Sequence, residues 1–148
     1  AKKHGIPFIT FSPKEFQSKN AYEEAIKERL DEYAIDLVVL SGYMRIFWET
    51  LLQSYPNKII NLHPSLLPSF PGLHGIQEAY EYGVKVTGIT IHYIDAGVDT
   101  GPIIAQATTE VLPADTLEAL EEKIHRLEHY WYEKVLEEIM QKGASITC

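Results

Sequence analysis

Apolar residues fall along this chain in two rhythms, and the changes between them predict its elements. Residues 6–11, Ile-Pro-Phe-Ile-Thr-Phe, are dense in strand-forming side chains and predict a strand. Residues 18–34 shift to helical spacing: a polar start at Ser18, then Tyr22, Ile26 and Leu30 on one stripe, with Ala25 and Tyr33 beside them. Residues 36–43 form a continuous apolar run, as in a parallel strand buried on both faces. A short helix is predicted over 47–55, stopped before Pro56, and a strand over 57–62. A helix over 75–82 ends at Gly83, and strands at 85–94 and 101–111 flank the turn-rich stretch Asp95 to Thr100. The first of these sets Val86, Gly88, Thr90 and His92 against Thr87, Ile89, Ile91 and Tyr93. From about Asp115 to Met140, Leu117, Leu120, Ile124, Leu127, Trp131, Val135 and Ile139 make one stripe of a long helix.

That order, β-α-β-α-β and then α-β-β-α, predicts a single α/β domain over residues 1–148. Its central sheet is mostly parallel and gains antiparallel strands late, and a long C-terminal helix covers it. The opening Ala1-Lys2-Lys3-His4-Gly5 reads as the last turn of a helix with glycine just beyond its end. It raises the expectation that a strand–helix unit precedes it.

Composition narrows the partners. With 45% hydrophobic and 23% charged residues the chain is an ordinary globular sequence. Its formal net charge of −8 argues against nucleic acid, which needs clustered Lys and Arg. Asp and Glu crowd residues 110–138, so the acidity belongs to the solvated face of the last helix rather than to a site. The one cysteine, Cys148, is terminal, which excludes an internal disulfide and suits a reducing cytoplasm. No apolar run approaches the roughly 18 residues of a membrane span, and the start does not read as a signal peptide.

The chemistry-bearing residues cluster at 61–75, Asn-Leu-His-Pro-Ser-Leu-Leu-Pro-Ser-Phe-Pro-Gly-Leu-His-Gly. Pro64 holds His63 extended, and Asn61 and His63, two apart, leave one face of an extended backbone. A hydrogen-bond donor and a titratable imidazole are thus offered together, a constellation suited to acyl-group chemistry. A lone histidine is commonly structural, but a proline lock costs flexibility for no evident folding gain. Asp99 lies in a turn between two strands, where Asp95 is the better candidate for the turn-forming role. His92 shares a face with Thr90 and either lines the same cavity or is a satisfied core histidine, the second being preferred. His125 and His129 stand at i, i+4 without a third ligand, so no metal is expected. Arg45 lies among apolar neighbours just past a strand, at the edge where open α/β sheets bind ligands. Walker, G-x-S-x-G and G-x-G-x-x-G motifs do not occur.

The segments Ser41 to Phe47, Asn61 to Gly75, Gly88 to Ile104 and Arg126 to Tyr132 together resemble the phosphoribosylglycinamide formyltransferase family. The resemblance runs essentially the whole length. It implies a three-layer, Rossmann-type formyltransferase fold and a cytoplasmic enzyme of purine synthesis, a monomer or homodimer. It implies small-molecule substrates, glycinamide ribonucleotide and 10-formyltetrahydrofolate, with no metal, nucleic acid or membrane. Asn61, His63 and Asp99 match the family's catalytic residues. Lys19, the segment Met44, Arg45, Ile46 and Phe47, and the loop from Asp95 to Asp99 match folate-binding positions, with Asn61 and Asp99 contributing there too. Glu128 matches a carboxylate that binds the ribose of the nucleotide. The family's initial strand and Gly-rich phosphate-binding turn have no counterpart in this chain, so the expectation is weak folate binding and little transfer by this polypeptide alone.

In the implied reaction the substrate amine attacks the formyl carbon, and the Asn61 amide and a protonated His63 donate to the formyl oxygen. Asp99 favours the imidazolium by charge attraction or through a shared water. Two alternatives stay open: hydrolysis of the formyl-folate, as in the related deformylases, and a non-catalytic folate-binding fragment. The deformylases typically carry a second histidine where this chain has Pro64. The related tRNA formyltransferases usually carry Arg-Gly-Ala where it has Pro71, Gly72, Leu73 and His74.

Overall fold

Alternation along the strand Ile59–His63 (β2) sorts the molecule into layers. Ile59 packs on one face with Leu40, Leu51 and Tyr55, while Ile60 packs on the other with Ile91 and Val135. The computed structural model describes residues 1–41 and 49–144. The first face is covered by α1 (Lys19–Glu32) and α2 (Glu49–Ser54), which supply Ile26, Leu30 and Leu51, with Tyr55 just beyond α2. The second is covered by α4 (Leu117–Ala144), with α3 (Gly75–Tyr82) beside it.

The sheet runs β1-β2-β3-β4, with β1 at Val38–Val39, β3 at Val86–Tyr93 and β4 at Ile103–Glu110. β1 pairs parallel to β2, and β2 to β3 and β3 to β4 are antiparallel. The late antiparallel strands and the long last helix are as the sequence predicts, and the fold is α/β.

Three elements differ from expectation. Residues 6–11 are not a strand: Pro7 removes a ladder donor, no described strand lies beside them, and Ile6, Phe8 and Ile9 are exposed. Phe11 and Phe16 pack their rings against Tyr22 of α1 instead. The run at 36–43 pairs over only two residues, and Val39 is 42% exposed rather than buried on both faces. Its position explains this, since β1 is the edge of the described sheet. β2 extends one residue further than predicted, so His63 lies within the strand and Pro64, with no donor, ends it. Residues 42–48, which include the start of the predicted 47–55 helix, lie outside the described residues.

Caps set the other boundaries. The Ser18 hydroxyl accepts from the Ala21 amide to start α1. The Thr116 hydroxyl accepts from the Ala119 amide to start α4, two residues later than the predicted start at about Asp115. Gly83 ends α3 at φ +81, a left-handed position where side chains are disfavoured. At the N-terminus Lys2–His4 is a single 3-10 turn followed by Gly5 at φ +67.

Leu120, Ile124 and Val135 of α4 are buried, with Leu127, Trp131 and Ile139 packed beside them, so the predicted stripe faces the sheet. Tyr132 adds a polar tie across the layers: its hydroxyl donates to the Leu40 carbonyl at 2.6 Å, with the Ile60 carbonyl 3.2 Å away. Burial pushes the pKa of this hydroxyl up, so it remains a donor.

Candidate active site

Because Ile60 and Leu62 face α4, Asn61 and His63 leave the opposite face of β2. The antiparallel register then pairs Asn61 with His92 and His63 with Thr90. Four polar side chains therefore gather on one patch of the sheet. His63, Thr90 and His92 are buried there and Asn61 is half-buried.

The loop between β3 and β4 brings Asp99 to this patch. Asp95 fixes the loop as a turn, its Oδ1 accepting from the Gly97 amide at 2.9 Å and the Thr100 hydroxyl at 2.7 Å. Asp99 sits at φ +54, a left-handed position that Asp tolerates better than most residues. Its Oδ2 accepts from the Gly72 amide at 2.8 Å and lies 3.4 Å from His63 Nδ1. Its Oδ1 lies 3.5 Å from His92 Nε2. The carboxylate, its side chain 12% exposed, thus spans both imidazoles.

Hydrogen bonding assigns the ring nitrogens. His63 Nε2 is 2.7 Å from the Phe70 carbonyl, which can only accept, so Nε2 carries a proton. Nδ1 is the nitrogen that faces Asp99. His92 Nδ1 donates to the Tyr93 carbonyl at 2.9 Å. Burial lowers the His92 pKa against the opposing pull of that bond and of Asp99, which keeps the ring neutral. Its Nε2 is then a lone pair that accepts from Asn61 Nδ2 at 3.4 Å. Asn61 is held with its amide nitrogen toward His92, and its second N–H remains to be given.

The proline-rich segment closes over this arrangement. Phe70 adopts φ +53 and turns its carbonyl to His63. Gly75 supplies the room: a Cβ there would lie 3.1 Å from His63 Nε2 and 3.2 Å from the Phe70 carbonyl oxygen. No larger residue fits without moving one of them.

The predicted residues divide in three. Asn61, His63 and Asp99 are brought together, with Asp95 shaping the loop that carries Asp99. Lys19 is exposed at the start of α1, and Glu128 lies on α4, across the sheet, paired with His125 at 2.8 Å. Met44, Arg45, Ile46 and Phe47 lie outside the described residues. No group of three or more metal-ligating side chains occurs among the described residues. His92, expected either to line this cavity or, preferably, to be a core histidine, is both: it is fully buried and it touches Asn61 and Asp99. The Phe70 carbonyl and Gly72 amide were missed, since backbone groups leave no signal in side-chain identity.

A neutral amide donor, an imidazole with one fixed nitrogen and a carboxylate beside the other can stabilise an oxyanion and move a proton. The family model described as formyl transferase matches residues 1–136. The phosphoribosylglycinamide formyltransferase of Bacillus subtilis (strain 168) is 51% identical over 140 residues, covering 95% of this chain and 72% of that protein. Among solved structures, the phosphoribosylglycinamide formyltransferase of Bacillus halodurans superposes with a TM-score of 0.92 at 51% identity, covering 96% of this chain and 73% of that one. That of Streptococcus pneumoniae TIGR4 gives 0.91 at 45%, covering 94% and 77%. By the match over residues 1–136, the chain belongs to the formyl transferase family, and it is similar over nearly all its length to that family's phosphoribosylglycinamide formyltransferases.

Proposed function

We propose that this chain transfers the formyl group of 10-formyltetrahydrofolate to the amine of glycinamide ribonucleotide, a step of purine (IMP) synthesis in the cytoplasm. The observation that carries this reading is the meeting of Asn61, His63 and Asp99 on one patch, in a chain 51% identical to an enzyme named for that reaction.

The amine nitrogen attacks the formyl carbon, and the carbonyl oxygen takes up negative charge. Asn61, with Nδ2 held by His92, donates its second N–H to that oxygen. Protonated His63 donates from Nδ1, whose 3.4 Å separation from Asp99 is longer than a charge-assisted bond and leaves the proton available. Loss of one such donor typically lowers the rate by about 10²–10³. The bond from carbon to the folate nitrogen then breaks as that nitrogen gains a proton and the attacking amine loses one. His63 and Asp99 stand where that proton can pass, directly or through water. The products are the formylated nucleotide and tetrahydrofolate.

The folate is assigned to Lys19, Met44, Arg45, Ile46, Phe47 and the loop from Asp95 to Asp99, by likeness to the family. The ribose is assigned to Glu128, which exchanges its present partner His125 for the sugar hydroxyls. The test is to supply formyl-folate with and without glycinamide ribonucleotide and to measure both formylated nucleotide and free formate. Formylation that requires the nucleotide supports transfer. Formate release without it shows hydrolysis, and folate binding with neither product shows a binding protein.

A further inference from the structure

The hydroxyl of Thr90 is completely buried and uses every hydrogen-bonding position it has. It donates to the Ser65 carbonyl at 2.7 Å and accepts from the Leu67 amide at 3.0 Å and from Gln106 Nε2 at 3.0 Å. Gln106, on the neighbouring strand, gives its other N–H to the Leu67 carbonyl at 3.0 Å. Two adjacent strands thus grip the backbone of the proline-rich segment at both Ser65 and Leu67.

What that segment carries makes the grip important. Its Phe70 carbonyl accepts the proton of His63 Nε2, and its Gly72 amide holds the Asp99 carboxylate. Inside the segment, the Ser65 hydroxyl donates to the Ser69 carbonyl at 2.6 Å, with the Phe70 carbonyl 3.2 Å away. Displacement of residues 65–72 therefore shifts the acceptor of one reacting side chain and the donor of the other.

We propose that Thr90, backed by Gln106, is a positioning residue for the reaction, acting through residues 65–72 to set the ring of His63 and the carboxylate of Asp99. This rests on the reading that His63 and Asp99 carry the chemistry. Thr90 touches neither the formyl group nor the amine in that reading. A merely structural hydroxyl supports the fold equally in every state and leaves the protonation site of His63 unchanged.

The variants are Thr90→Val, which keeps shape and loses the hydroxyl, Thr90→Ser, which keeps it, and Gln106→Ala at an exposed position. The ring of His63 is read by ¹⁵N NMR without substrate at about pH 9, where an imidazole carries a single proton. The parent protein shows the Nε2–H form. Thr90→Val gives a mixture of both tautomers, and kcat falls about tenfold with KM for the folate within about twofold. Thr90→Ser restores both readouts, and Gln106→Ala gives a smaller change in the same direction. Parent-like ring signals and kcat in Thr90→Val overturn the proposal whatever happens to Tm, as does failure of Thr90→Ser to restore them. If Thr90→Val does not fold, Gln106→Ala decides: an unchanged ring and kcat overturn it. Since the ring is read without turnover, this outcome is separate from whether formyl transfer is the reaction.

Discussion

His63 and Phe70 share a hydrogen bond of 2.7 Å, and it decides which nitrogen of the histidine is free to act. A carbonyl has no proton to give, so Nε2 is committed to it and Nδ1 is left beside Asp99. The absence of a side chain at residue 75 keeps that bond open.

Gly75→Ala places a methyl group 3.1 Å from Nε2, tighter than such contacts normally are. The expected result is a fall in kcat of about tenfold, with a smaller effect on folate affinity. Steady-state kinetics and a folate titration check it. Parent-like kcat would show that the ring and the segment relax without consequence for the reaction.

Asn61→Ala removes the amide that His92 orients. The rate falls by about 10²–10³, the usual cost of losing one donor to a developing oxyanion, while folate binding is retained. Equal losses in affinity and rate would instead assign Asn61 to ground-state binding.

Asp99→Asn separates charge from shape. An asparagine oxygen still accepts from the Gly72 amide, and asparagine tolerates the left-handed backbone. The melting temperature therefore changes little, while kcat falls on the order of 10² because the negative partner of His63 is gone. An unchanged rate would reduce Asp99 to a turn residue.

His92 links stability to pH. Unfolded, its imidazole gains a proton near the ordinary 6.5, but burial lowers the folded pKa below that. Below about pH 6.5 the unfolded state thus binds the extra proton, and stability falls as the pH drops toward the folded pKa. Asp99 and Asp95 oppose the shift and His63 reinforces it. Urea midpoints at about pH 7.5 and 5.5 test this, with His92→Gln expected to show a smaller acid loss than the parent. The same acid loss in both proteins would contradict it.

Much of this arrangement was legible in the chain. Alternation placed Asn61 and His63 on one face, Pro64 held His63 extended although the strand ends one residue later than expected, and Gly83 ended α3 where expected. Asp95 was the better turn former on sequence grounds, and it does form the turn. What stayed hidden depends on register and backbone. The pairing of Asn61 with His92, the φ of +53 at Phe70 and the reach of the Gly72 amide follow from how strands and loop meet. The misread strand at 6–11 failed for a related reason: strand propensity without a paired neighbour forms no ladder. Residues 44–47, expected to hold the folate, lie outside the described residues.

A role for His63 in the chemical step is read out by single-turnover formyl transfer with His63→Ala. With nucleotide and formyl-folate saturating, the expected rate is lower by about 10²–10⁴, with a folate dissociation constant within about twofold of the parent. A parent-like single-turnover rate would contradict it.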